Sequence, residues 1–165
     1  MQEREHIISM LVNNRPGVLS RISGVFGRLG YNIKSLCVAE TMNPDVSRIT
    51  LVSRANSNFT EKIKKNLDKL IDIVEVKELD RGESVSRELS LLGLVLTADN
   101  RPDILRTVDL FGCRILSITD NYVILAAIGT GEETATILNY LKAYEIKDLA
   151  RTGAIAIEKG GGSRD

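Results

Sequence analysis

Apolar and polar positions along the first 79 residues predict the element order βαββαβ. His6 to Val12 is mostly apolar, the pattern of a strand with both faces covered. Asn13-Asn14-Arg15-Pro16-Gly17 reads as a turn, with Pro16 suited to a first helical turn, where its missing N–H would be unpaired anyway. Val18, Leu19, Ile22, Val25, Phe26 and Leu29 then fall on one helical stripe, and Gly30 stands where a helix ends in a left-handed residue. Asn32 to Ala39 and Ser47 to Ser53 read as the next strands, separated by a turn over Thr41 to Asp45. Thr60 is the expected cap of a second helix burying Ile63, Leu67, Leu70 and Ile71, and Ile73 to Leu79 alternates as a fourth strand.

Residues 80–88, DRGESVSRE, are polar and without periodicity, which predicts a linker. The same order of elements follows over 89–159: strand to Thr97, helix from Asp103 to Phe111, strands from Cys113 to Thr119 and from Tyr122 to Ile128. A helix from Glu132 to Tyr144 and a final strand over Ile146 to Ile157 complete it, with Thr152-Gly153 interrupting or bounding that strand. Asn-Arg-Pro occurs at 14–16 and again at 100–102, each time between a first strand and a first helix. The expected fold class is therefore α+β: two ferredoxin-like βαββαβ domains, residues 1–79 and 89–159, with 160–165 a disordered tail. In each, the sheet face away from the helices needs solvent, a ligand or another subunit, and dimerisation, edge to edge or face to face, would cover it.

Composition narrows the function. The chain has 165 residues, 43% of them hydrophobic, enough for packed cores. Its 22 basic and 22 acidic residues cancel, so no long-range field attracts nucleic acid or an anionic membrane. No apolar run approaches the ~20 residues of a membrane span, and the N-terminus lacks an export signal, so the expected compartment is the cytoplasm. Cys37 and Cys113, in apolar strand-like segments, read as reduced core residues. Aromatic residues make up 4% of the chain and the third strand has none, which argues against an RNA-binding sheet.

No catalytic cluster and no metal-ligand spacing is apparent. His6 is the only histidine and reads as an exposed strand-end residue. Gly129-Thr130-Gly131 reads as a tight turn, with an anion cradle as the sharper alternative. The Asn14 to Leu19 turn is the candidate site. The backbone N–H groups of Gly17, Val18 and Leu19 are the donors of a helix start and suit a carboxylate. Gly17 lets a ligand approach the backbone. Asn14 and Asn32 add amides near the same helix start, and Ile33 and Leu36 an apolar wall, which together suit a small zwitterion. The same residues also read as plain structure: a cap, a helix start and an ordinary turn. The local pattern leaves both readings open.

The segment NNRPGVLSRISGVFGRLGYNIKSLCVAET resembles the regulatory (small) subunit of acetolactate synthase, also called acetohydroxyacid synthase, and the N-terminal half resembles an ACT domain. The likeness continues through Ser47-Arg48-Ile49-Thr50, Leu67 to Val74, Ser86-Arg87-Glu88-Leu89 and Ala150-Arg151-Thr152-Gly153. It implies a non-catalytic partner of a thiamine-diphosphate enzyme in branched-chain amino-acid biosynthesis. Such subunits activate the catalytic (large) subunit, which carries thiamine diphosphate, Mg2+ and FAD, and confer feedback inhibition by valine, with leucine and isoleucine as further possible effectors. Paired ACT domains of a homodimer hold the effector. By position, the resemblance makes Asn14, Gly17 and Asn32 effector contacts, with Val18, Leu19 and Ile33 as neighbours. The other readings are a free-standing ACT sensor acting on another enzyme or on transcription, and a small enzyme.

Overall fold

Strand β1 (Arg4–Asn13) lies between two antiparallel neighbours, β3 (Val46–Ala55) and β4 (Ile73–Glu78), in a sheet ordered β2-β3-β1-β4. The fourth strand, β2 (Ile33–Glu40), forms one edge and, among the described residues, pairs with β3 alone. Alternation does the sorting: Ile8, Met10 and Val12 turn one way with their cross-strand neighbours Leu51 and Ile49. They pack against Val18, Ile22, Val25 and Phe26 of helix α1 (Val18–Arg28) and Phe59, Ile63 and Leu67 of helix α2 (Phe59–Leu67). Ser9 and Thr50, on the opposite face, are buried as well, as the apolar run of β1 predicts.

The computed structural model describes residues 3–160, so most of the expected disordered tail, 161–165, lies outside the described residues. Two structural units emerge, one running to Ser86 and resuming at Ala154, the other covering Arg87–Gly153. The second unit repeats the order of the first. Strand β5 (Ser84–Val95), helix α3 (Arg101–Phe111), strands β6 (Arg114–Ile118) and β7 (Tyr122–Gly129), helix α4 (Gly131–Leu141) and strand β8 (Ile146–Arg151) form a sheet ordered β6-β7-β5-β8. Its core joins Leu92, Leu94, Val123 and Leu125 to Ile104, Val108, Ile137 and Leu141. The α+β class with two βαββαβ units is thus present.

Several boundaries differ from the sequence reading. Residues 84–88, read as linker, are the first part of β5. The expected final strand is two: β8 stops at Arg151, Gly153 turns the chain with φ 73°, and β9 (Ile155–Glu158) pairs with β5 within reach of the first unit's Glu83, whose carbonyl accepts the Lys159 N–H. Alternating Ile-Ala-Ile looks the same whichever sheet it joins. Pro16 precedes α1, because Gly17 occupies the N-cap, and Asn58 rather than Thr60 stands before α2.

The two Asn-Arg-Pro turns do the same mechanical work with different side chains. In the first, Asn14 Nδ2 donates to Glu40 Oε1 (3.0 Å) and to the Pro44 carbonyl (2.9 Å), gripping the β2–β3 turn. In the second, Arg101 Nη2 donates to the carbonyls of Asp120 (2.9 Å) and Thr119 (3.3 Å), gripping the β6–β7 turn.

Candidate functional site

The turn from Asn14 to Leu19 is shaped by one residue. Gly17 has φ 84°, a left-handed conformation that costs a side-chain-bearing residue about 1–2 kcal/mol, and it serves as the N-cap of α1 without any side chain to cap with. The first helical bond runs from Arg21 N–H to the Gly17 carbonyl (3.0 Å), while the Val18 N–H reaches only the Arg15 carbonyl at 3.4 Å. The start of α1 therefore presents backbone donors without a side-chain acceptor. Helix α4 shows the contrast. Thr130 Oγ1 accepts from the Glu133 N–H (3.2 Å) and Glu133 Oε2 accepts from the Thr130 N–H (2.7 Å), a reciprocal capping box. Those bonds hold the Glu133 carboxyl below the ordinary carboxylate range. Gly129-Thr130-Gly131 is thus occupied by the protein's own acid, and the anion-cradle reading of it is withdrawn.

Asn14 is exposed but fixed: besides its two side-chain bonds, its N–H donates to the Asp45 carbonyl at 2.7 Å. With both amide hydrogens engaged, Oδ1 is the atom left to accept a hydrogen bond from a ligand. Leu19 is 40% exposed beside it, whereas Val18 turns into the core. Asn14, Gly17, Val18 and Leu19 therefore share one end of the first sheet.

Asn32 and Ile33 do not join them, which corrects the expectation that both asparagine amides lie near the start of α1. β1 and β2 both run antiparallel to β3, so they run parallel to each other. Asn13 is level with Val46 and Ile33 with Ser53, at opposite ends of β3. That separation is about 23 Å at ~3.3 Å per residue. Asn32 is exposed there, its carbonyl accepting the Ser53 hydroxyl (2.7 Å), and Ile33 is half-buried against the core. Sequence proximity across a helix of 11 residues hides this, since α1 alone puts about 16 Å between its ends.

Sequence reasoning also missed the residue that borders the turn most closely. Arg21 Nε (3.1 Å) and Nη2 (2.6 Å) both donate to Oδ2 of Asp72, a buried carboxylate in the turn between α2 and β4. A β-carbon added to Gly17 would lie 3.0 Å from Arg21 Nη1. The pattern offered no signal for it beyond a charge four residues after Gly17.

His6 is a second correction. It is 1% exposed, with Nδ1 2.6 Å from Glu78 Oε1 and 3.3 Å from Thr60 Oγ1, and its ring lies 4.8 Å from that of Phe59. The expected cap Thr60 is used here instead. Cys113 is buried, which pushes its thiol up, and Cys37 is half-buried; both are free. Among the described residues no group of three or more potential metal ligands lies together, and no helix is long and apolar enough to cross a membrane. Two open grooves, about 540 and 450 Å3, lie away from the Asn14 turn, one bordered by Arg4, Glu5 and Glu78 and the other by Leu110, Phe111 and Ile128.

The βαββαβ unit whose first helix opens on a left-handed glycine has the ACT-type fold, and residues 8–75 match the family described as the AHAS small subunit-like ACT domain. Residues 87–160 match the family described as the small subunit of acetolactate synthase. The acetolactate synthase small subunit of Mycolicibacterium smegmatis is 36% identical over 155 residues, covering 94% of this chain and 91% of that protein. A probable acetolactate synthase small subunit from Archaeoglobus fulgidus is 36% identical over 156 residues, covering 94% of this chain and 98% of that protein. The crystal structure of the small subunit from Thermotoga maritima superposes with a TM-score of 0.89 at 30% identity, covering 94% of this chain and 98% of that one. The chain belongs to the acetolactate synthase small-subunit family.

Proposed function

We propose that this chain is a regulatory subunit that activates the thiamine-diphosphate-dependent catalytic subunit of acetolactate synthase and makes it sensitive to valine, which binds at a site shared by two copies of the ACT domain. The observation that carries the reading is the division of the candidate residues between the two ends of one sheet whose edge strand, β2, is open. An open edge invites a second strand. If β2 pairs antiparallel with β2 of a second copy about a two-fold axis, a residue near the middle of the strand faces its own copy, so the Ile33 end of one strand lies beside the Glu40 end of the other. Glu40 is the residue that holds Asn14. A two-fold axis thus brings Asn32 and Ile33 of one copy beside Asn14, Gly17 and Leu19 of the other, twice.

The chemistry at that junction matches a branched-chain amino acid. Backbone N–H groups at the start of α1 receive the carboxylate, and Asn14 Oδ1 accepts from the ammonium. The Leu19 and Ile33 side chains supply an apolar surface for an aliphatic side chain. One methylene changes such binding by about 1–3 kcal/mol, so leucine and isoleucine bind more weakly than valine rather than not at all. Because valine touches both copies, it favours one arrangement of the dimer, and a coupling of about 1–3 kcal/mol between that arrangement and the catalytic subunit produces feedback.

The test is reconstitution with a purified acetolactate synthase catalytic subunit. Acetolactate formation should rise on adding the chain and fall again with valine. A chain that binds valine yet neither stimulates nor associates with the catalytic subunit would be a free-standing sensor, and the proposal would fail.

A further inference from the structure

We propose that Arg21, braced by Asp72, is the side chain that pairs with the carboxylate of the bound amino acid, making the site selective for effectors with a free, ionised carboxyl group. The inference rests on reading the Asn14 to Leu19 turn as the effector site and adds to it a charged residue that the turn itself does not contain.

Side chains on an α-helix lean toward its N-terminus, so Arg21, one turn into α1, reaches back over Gly17. Its guanidinium is not left to wander. Nε and Nη2 both donate to Asp72 Oδ2, at 3.1 and 2.6 Å, and the Asp72 side chain is only 8% exposed. Asp72 is itself anchored, its carbonyl accepting the N–H of Asn13 at 2.8 Å. Two of the three nitrogens are thereby committed. The third, Nη1, has no acceptor among the described residues and lies on the Gly17 side, 3.0 Å from the place a β-carbon there would take.

Three consequences follow from that placement. A guanidinium fixed along one edge keeps its other donors in a set direction, which suits a planar carboxylate better than a mobile lysine would. The bare backbone at Gly17 keeps Nη1 accessible, since any side chain there would cover it. Asp72 makes a negative contribution too, but it is buried behind the guanidinium, so an incoming carboxylate meets the cation first. A pair that served only to tie α1 to the turn before β4 would have no need of an open Nη1 above a glycine.

The experiment measures inhibition of the reconstituted catalytic complex by valine and by valinamide, which lacks the carboxylate, in wild type, Arg21→Gln, Arg21→Lys and Gly17→Asp. Each rate is normalised to the same variant without ligand. Arg21→Gln should raise the valine concentration for half-inhibition about tenfold or more, the scale of a lost charge-assisted bond, and leave the valinamide value within about twofold. Arg21→Lys should fall between. Because Arg21→Gln leaves Asp72 buried without its partner, the double variant Arg21→Gln/Asp72→Asn is measured alongside, and its loss of valine sensitivity should match the single variant. Equal weakening of valine and valinamide would mean Arg21 only supports the fold, and the inference would be overturned. Gly17→Asp abolishing inhibition while Arg21→Gln leaves it unchanged would overturn the role of Arg21 and spare the site. Inhibition unchanged in Gly17→Asp would overturn the site and Arg21's role with it.

Discussion

Asn14 and Asn32 occupy opposite ends of the same sheet, Asn14 bonded to the β2–β3 turn through Glu40 and the Pro44 carbonyl, Asn32 bonded to Ser53 at the far end of β3. Neither can serve the other's site within one chain. An antiparallel pair of β2 strands is the simplest operation that joins them, and most of the proposed behaviour follows from it.

Gly17→Asp should eliminate the valine response while the variant folds and dimerises. The strain of a left-handed aspartate, about 1–2 kcal/mol, is partly offset by its attraction to the Arg21 guanidinium beside it. The new carboxylate would sit beside Arg21 Nη1, where the ligand's belongs. Thermal unfolding within a few degrees of wild type together with absent valine binding by calorimetry is the expected result.

Val38→Asp addresses the edge. Val38 is 44% exposed in the single chain, so a carboxylate there costs the monomer little. Across a two-fold β2 pair it would place a carboxylate from each copy in a partly dehydrated strip. Sedimentation should show a monomer, with valine binding lost in parallel. A dimer that persists with valine binding intact would place the interface elsewhere.

Glu78 sets an acid limit. Burial alone would raise its carboxyl, but hydrogen bonds from Thr60 and His6 and the attraction of His6 and Arg4 outweigh it, so its pKa lies below the ordinary 4.5. A carboxyl depressed on folding adds stability above its unfolded value and loses it as pH falls through the folded one. The gap in melting temperature between wild type and Glu78→Gln should therefore be full at about pH 7 and close as pH falls below about 4. A gap that widens toward acid would contradict the pairing.

Arg151→Met tests the second unit. Glu88 is 7% exposed and bonded by Arg151 and Thr134. Losing the arginine strands a buried carboxylate, at a cost below the ~3–5 kcal/mol of a fully buried pair, since the Arg151 side chain is 40% exposed. Urea denaturation should show a loss of about 1–3 kcal/mol, with Glu88→Gln/Arg151→Met recovering part of it.

The helices and most strands were legible because their periodicity is local: Val18, Ile22, Val25 and Phe26 need only 3.6 residues per turn to declare a buried face. Gly30 ended α1 as expected, with φ 74°. What stayed hidden depends on the third dimension. Arg21 meets Asp72 across 51 residues, and His6 meets Glu78 across 72. Ile155–Glu158 alternates like any strand, and nothing local assigns it to β5. Asn14 and Asn32 looked like neighbours because spacing along a chain is silent about which end of a sheet a residue reaches.

The central claim is that each effector site draws on two copies, and mixed dimers test it most directly. Asn14→Ala and Asn32→Ala chains carrying different tags are purified as heterodimers and titrated with valine in a calorimeter. A shared site leaves one junction intact per heterodimer, so the mixed species should bind one valine per dimer while each parent homodimer binds none. A heterodimer as inert as its parents would mean that both asparagines serve a site within one chain, and the account would be wrong.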